Sequence, residues 1–86
     1  MSTSVGEHPA PVTVTDQIVE IFAEVIGTGE PIDADTDFFE VGGDSILAAK
    51  AVVRLRRRLG TTVSMREVFT ARTAAALASA LGQRVD

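Results

Sequence analysis

One hydroxyl in this 86-residue chain stands where chemistry is within reach. Ser45 lies in the run Gly42-Gly43-Asp44-Ser45-Ile46, between an acidic loop and an apolar, arginine-rich segment. Three uses compete for it: a catalytic nucleophile, a helix cap, and a handle that another enzyme modifies. A serine nucleophile needs a neighbouring base at neutral pH. The single histidine, His8, falls in a proline-bearing N-terminal stretch, and Lys50 lies more than one helical turn along and out of line with the hydroxyl. A domain this small also lacks the cleft and oxyanion site that acyl transfer requires.

Capping is the ordinary use of a serine at a helix start. Here Asp44 is an equally good cap, and its charge suits the positive end of the helix dipole. One cap suffices, so Ser45 carries a spare hydroxyl. Gly42 and Gly43 beside it let another backbone or an enzyme come close. A phosphate ester on Ser45 would sit near free helix N–H groups. Asp44 repels anions, so the position does not read as a free-phosphate site.

Two other constellations offer chemistry and weaken on inspection. Asp33 to Asp44 places carboxylates at positions 1, 3, 5 and 12 of a loop, which resembles a calcium-binding EF-hand. Position 6, which must turn sharply on glycine, is Phe38, and position 12 is Asp44 where a bidentate glutamate belongs. A solvated acidic loop pinned by phenylalanines fits better, and no metal is expected. The run Arg54-Leu55-Arg56-Arg57-Arg58 could face nucleic acid. The net charge of −4 and the lack of Tyr and Trp for stacking argue against it. Ile46, Ala49 and Val53 mixed into the same basic face favour a protein-docking surface over either DNA or a merely solvated helix.

The elements that must position Ser45 follow from periodicity. Val14, Ile18, Ile21, Phe22, Val25 and Ile26 recur on one face of a first amphipathic helix, with Asp16, Glu20 and Glu24 opposite. Thr13 or Thr15 starts it and Gly27 or Gly29 ends it. Residues 28–44 form a long acidic loop anchored by Ile32, Phe38 and Phe39. A second helix runs from Ser45 to Leu59 and stops at Gly60. Leu47, Ala48, Ala51, Val52, Leu55 and Leu59 face the core, and Ile46, Ala49, Lys50, Val53, Arg56 and Arg57 face outward. Ser64 and Glu67 form a capping box for a short third helix. Thr73 caps a fourth, with Ala74, Leu77, Ala78 and Leu81 on one face and Gly82 at its end. The fold class is all-α: a small four-helix bundle of three main helices and one short one. Residues 1–12 read as a flexible tail, 13–82 as the domain, and 83–86 as a frayed end.

Composition sets the outer limits. Apolar residues make up 45% of the chain, and the four aromatics are all Phe, so the core is aliphatic and thin. There is no cysteine, which excludes disulfides and any thiol chemistry of the chain's own. No secretory signal or membrane-length apolar run is present, so a cytoplasmic protein is expected. All eight basic residues follow Ser45, and ten of the twelve acidic ones lie before it.

The stretch Asp35–Gly60, DTDFFEVGGDSILAAKAVVRLRRRLG, resembles the thiolation, or peptidyl carrier, proteins of nonribosomal peptide synthesis. Phe38-Phe39, Gly42-Gly43, Asp44, Ser45 and Ile46 match the family pattern position by position, and the helices before and after match its order. The resemblance implies an acyl-carrier-like bundle that is not an enzyme. It implies 4′-phosphopantetheine on Ser45, transferred from coenzyme A by a magnesium-dependent phosphopantetheinyl transferase. An aminoacyl or similar group would then ride on the arm's thiol as a thioester. The implied partners are that transferase, an adenylating loading enzyme, and downstream condensation or tailoring enzymes. The basic, apolar second helix favours a peptidyl carrier over a polyketide or fatty-acid acyl carrier, the alternative with the same arm. Met1 and the loose ends suggest a free-standing, monomeric carrier. The expected docking face is Ile46, Ala49, Val53 and Arg57 with Met65 of the third helix. Two features depart from the family: no proline precedes the last helix, and Asp44 stands where many relatives have His.

Overall fold

The computed structural model describes residues 13–27 and 29–83. Four helices follow in order: α1 Val14–Ile26, α2 Ser45–Leu59, α3 Met65–Ala71 and α4 Ala74–Gln83. No strand occurs among the described residues. The expected tail, 1–12, and most of the expected frayed end lie outside them.

Each helix starts where its sequence supplies a donor-satisfying side chain. Thr13 and Asp16 make a reciprocal capping box for α1, Ser64 and Glu67 make one for α3, and the Thr73 hydroxyl accepts from the Ala76 amide at 3.1 Å. Such caps are worth about 1 kcal/mol each. Gly27 and Gly60 close α1 and α2 in the left-handed conformation, at φ 64° and 69°. Gly82 does not close α4, which runs on to Gln83. Its backbone is not left-handed, so nothing there breaks the helix.

The helices bury one shared core. Ile18, Ile21 and Phe22 of α1 meet Ala48, Ala51, Val52 and Leu55 of α2, Val68 of α3, and Ala74, Leu77 and Leu81 of α4. Val63 from the α2–α3 connection and Phe38 from the long loop complete it. α1 packs on α2 and α4, while α3 bridges α2 and α4. The alanines let α2 come close to its neighbours, which is how so few large side chains fill the interior. Val14, expected on the core face, is 44% exposed. It sits at the very start of α1 and lines an open groove with Leu59, Ala78 and Leu81.

The uneven charge along the chain has a structural outcome. Arg54 pairs with Glu24 at 3.1 Å and Arg58 pairs with Glu20, tying basic α2 to acidic α1 across the surface. Exposed pairs of this kind contribute a few tenths of a kcal/mol. Arg56 is exposed on the outward face as expected, and from there donates Nε to the Val63 carbonyl at 2.9 Å. It thereby holds the α2–α3 connection against the end of α2.

Candidate functional site

The site begins with a buried ring. Phe38 is fully buried, 4.6 Å centroid to centroid from Phe22 and edge-on to Phe39. Its amide donates to the Arg72 carbonyl at 2.8 Å, and its carbonyl accepts from the Gly43 amide at 2.9 Å. The loop therefore folds back so that Gly43 lies directly on Phe38. A Cβ on Gly43 would stand 2.4 Å from the Phe38 ring carbons and 2.5 Å from its carbonyl oxygen. Gly42 takes φ 117°, which side-chain-bearing residues rarely adopt. Gly43 is required by the chain's own packing and Gly42 by its backbone conformation, internal demands beyond the open approach expected from sequence.

The acidic loop is organised by its carboxylates. Asp33 accepts from the Asp35 amide and the Thr36 hydroxyl, each at 2.9 Å. Asp37 accepts from the Phe39 amide at 2.8 Å and from Arg72 Nε at 2.6 Å. Asp44 caps α2 by accepting from the Leu47 amide at 2.9 Å. Of the carboxylates that matched calcium-loop positions, Asp33, Asp37 and Asp44 thus serve as turn, ion-pair and cap groups. Among the described residues, no three acidic or histidine side chains are grouped to hold a metal ion.

These bonds set the carboxyl acidities. The Thr36 hydroxyl, then the Asp35 amide, hold Asp33 below the ordinary carboxylate range. The Arg72 side chain is the main cause of the same shift at Asp37, aided by the Phe39 and Glu40 amides and opposed by partial burial. A depressed folded-state pKa stabilises the fold above the unfolded value of about 3.9. That contribution disappears as pH falls through the lower folded value. The melting temperature is expected to fall as acid titrates the loop below about pH 4. Asp37→Asn should flatten that part of a melting-temperature profile against pH; a profile identical to wild type would exclude the Asp37 contribution.

With Asp44 as the cap, Ser45 is left at the first helical position, exposed. Its hydroxyl bonds nothing among the described residues. The first-turn amides beside it have no intrahelical acceptor, as at any helix start. Lys50 is exposed on the same helix, and His8 lies outside the described residues. Among the described residues no side chain is hydrogen-bonded to the serine hydroxyl to activate it. The geometry is that of a presented hydroxyl: set at the head of a helix, solvent-facing and without a hydrogen-bond partner among the described residues. A group joined through a phosphate ester fits here, because the hydroxyl is free and the space in front of it is open.

Along the outward face of α2, Ile46 is 69% and Val53 51% exposed, with Ala49 and Arg57 exposed between and beyond them. Met65 is half-buried and packs against the core from the start of α3. Phe69, outside the expected docking set, is 41% exposed on α3 and stacks on Phe39 at 5.0 Å. Its position one turn after Met65 was the available signal.

The family model for the phosphopantetheine attachment site matches residues 16–81, which include the whole loop and every helix core. The chain belongs to that family. This domain is a non-catalytic carrier of 4′-phosphopantetheine with the acyl-carrier fold. The curated relatives it matches include nonribosomal peptide synthetases. It is 40% identical over 81 residues, 93% of its length, to a dimodular nonribosomal peptide synthase of Bacillus subtilis. It is 38% identical over 75 residues, 86% of its length, to the phenyloxazoline synthase MbtB of a Mycobacterium species. The carrier spans only 3% and 6% of these two proteins. Among solved structures, BlmI, a type-II acyl carrier protein of Streptomyces verticillus, superposes with a TM-score of 0.77 at 26% identity, covering 85% of this chain and 87% of BlmI. A nonribosomal peptidyl carrier domain gives 0.69 at 38% identity, covering 84% and 90%. A peptidyl carrier protein solved with the transferase Sfp and coenzyme A gives 0.75 at 26% identity, covering 90% and 100%. No described helix is long and apolar enough to cross a membrane.

Proposed function

We propose that Ser45 is the attachment point and that the carrier holds an aminoacyl or peptidyl-type group there as a thioester. The observation that carries this reading is the division of labour at the head of α2: Asp44 caps the helix, and Ser45 keeps an exposed, unengaged hydroxyl. Modification replaces the Oγ–H bond by an Oγ–P bond as the pyrophosphate link of coenzyme A breaks and its nucleotide half leaves. The transferase removes the proton, since no described residue of this chain is bonded to the hydroxyl as a base. The attached group supplies the thiol that a cysteine-free chain lacks. Everything else the protein does is positional: α2 seats Ser45, Gly42 and Gly43 bring the loop onto Phe38, and the bundle stays rigid while its cargo is worked on elsewhere.

The partners that fit are a transferase, an adenylating loading enzyme, and condensation or tailoring enzymes, which dock on Ile46, Ala49, Val53 and Arg57 with Met65 and Phe69 of α3. An apolar stripe with exposed aromatic and arginine side chains is the surface composition such contacts favour. The carrier acts as a cytoplasmic monomer.

Intact-protein mass after incubation with coenzyme A, Mg²⁺ and a broad-specificity transferase tests the central reading. One added phosphopantetheinyl group, located on Ser45 by peptide fragmentation, is expected. No addition to folded protein, or addition elsewhere, would overturn it. Loading of the modified protein by adenylating enzymes, and not by malonyl-transferring ones, distinguishes peptidyl from polyketide or fatty-acid cargo.

A further inference from the structure

Arg72 stands in an unfavourable backbone conformation for its type. It closes α3 at φ 67°, and it is the sole non-glycine residue at positive φ among the described residues. Glycine is the usual occupant of that position. Gly27 and Gly60 fill it at the ends of α1 and α2. The side chain at 72 must therefore do something that glycine cannot.

Arg72 grips three consecutive residues of the loop that leads to Ser45, one through its backbone and two through its side chain. The Arg72 carbonyl accepts from the Phe38 amide at 2.8 Å. Arg72 Nε donates to Asp37 Oδ2 at 2.6 Å. The guanidinium carbon lies 5.1 Å from the centre of the Phe39 ring, within cation–π reach. From Phe38 the connection continues through its carbonyl to the Gly43 amide, and Gly43 is joined directly to the Asp44 cap of α2. Ala75 adds a parallel tie by donating its amide to the Ala34 carbonyl at 3.0 Å. The loop before Ser45 is thus fastened to the α3–α4 junction, and of these ties only those of Arg72 use a side chain from that junction.

We infer that Arg72 is a positioning residue for Ser45: through Asp37 and Phe39 its guanidinium sets the loop that seats the serine for the incoming enzyme. The ion pair is half-exposed on the arginine side, so its worth as a stabilising contact is small. Its geometric effect is larger, because group transfer to a hydroxyl depends steeply on orientation. This inference rests on the reading of Ser45 as the attachment point.

Arg72→Gly separates orientation from stability. Glycine accepts the left-handed backbone and keeps the carbonyl that binds the Phe38 amide, while the guanidinium is lost. Asp37→Asn is the second variant and leaves the α3 terminus untouched. For each full-length protein, the melting temperature, the transferase kcat and KM for the carrier, and the ¹H–¹⁵N signals of Gly43, Asp44 and Ser45 are measured. The expected result is a kcat lowered roughly tenfold with KM within about twofold and the three amide signals displaced, in a protein that melts within a few degrees of wild type. Arg72→Lys, which keeps a cation for Asp37, should recover part of the rate. Unchanged kcat and unmoved amide signals in both variants would overturn the inference. So would a loss of rate that merely follows a loss of folded protein. If wild type itself takes no group on Ser45, the attachment reading fails, and the amide signals still decide whether Arg72 sets the loop.

Discussion

Ser45→Ala is expected to abolish phosphopantetheinylation completely while leaving the melting temperature within the scatter of surface substitutions, about 0.5 kcal/mol. Most serines at a helix start could not be removed so cleanly. Loss of a serine cap costs about 1 kcal/mol, because a first-turn amide is left without an acceptor. Here the Leu47 amide is already satisfied by Asp44, and the Ser45 hydroxyl contributes no bond to the described structure. Alanine is also the better helix former at that position. The complementary variant, Asp44→Ala, removes the actual cap and should cost about 1 kcal/mol. Thermal melts beside intact-mass measurement check both. Equal destabilisation by the two would mean that Ser45 shares the capping work, and residual modification of Ser45→Ala would move the attachment point elsewhere.

Gly43→Ala is the substitution expected to harm the fold most for a single added carbon. The new methyl would lie 2.4 Å from two ring carbons of Phe38 and 2.5 Å from its backbone oxygen. The ring cannot yield, since Phe38 is fully buried against Phe22 and Phe39. The carbonyl cannot yield either without losing the Gly43 N–H bond at 2.9 Å. Overpacking of this kind costs about 1–3 kcal/mol, and the upper end applies where the obstacle includes backbone. A domain of this size then melts some 10–20 °C lower. Modification by the transferase should fall as well, even at temperatures where the variant stays folded, because the loop must move off Phe38 and take the Asp44 cap with it. A melting temperature within about 2 °C of wild type would show that the contact relaxes cheaply. Phe38→Ala in the Gly43→Ala background offers a check, because the methyl no longer meets a ring. The double variant should lose less than the sum of the singles, the mark of two residues in direct contact.

The helices were legible because local rules agree with one another. Apolar residues at helical spacing, Thr13, Ser64 and Thr73 as caps, and Gly27 and Gly60 as stops all act within one or two turns of chain. Those rules gave α2 its bounds, Ser45–Leu59, the start of α3 after Ser64, and the ends of α1 to within two residues, without reference to any distant residue. Val14 escaped them because it opens its helix, where it is 44% exposed beside an open groove, and the bond from Arg56 to a carbonyl seven residues on lay outside any helical rule.

The sequence by itself also narrowed the chemistry. A serine with no evident base, no cysteine in the chain and a second capping residue beside it left three uses open, and the resemblance of the surrounding motif to peptidyl carriers implied modification from outside. What only the tertiary structure decided is how that serine is held. The contact of Gly43 with the Phe38 ring, the Arg72 carbonyl taking the Phe38 amide, and the Arg72–Asp37 pair across 35 residues are not encoded in any local pattern. Phe38 could have been a loop anchor of any kind, and Arg72 one more solvated cation. They acquire their roles because the bundle brings the end of α3 against the middle of the loop, and that approach exists only in the folded chain.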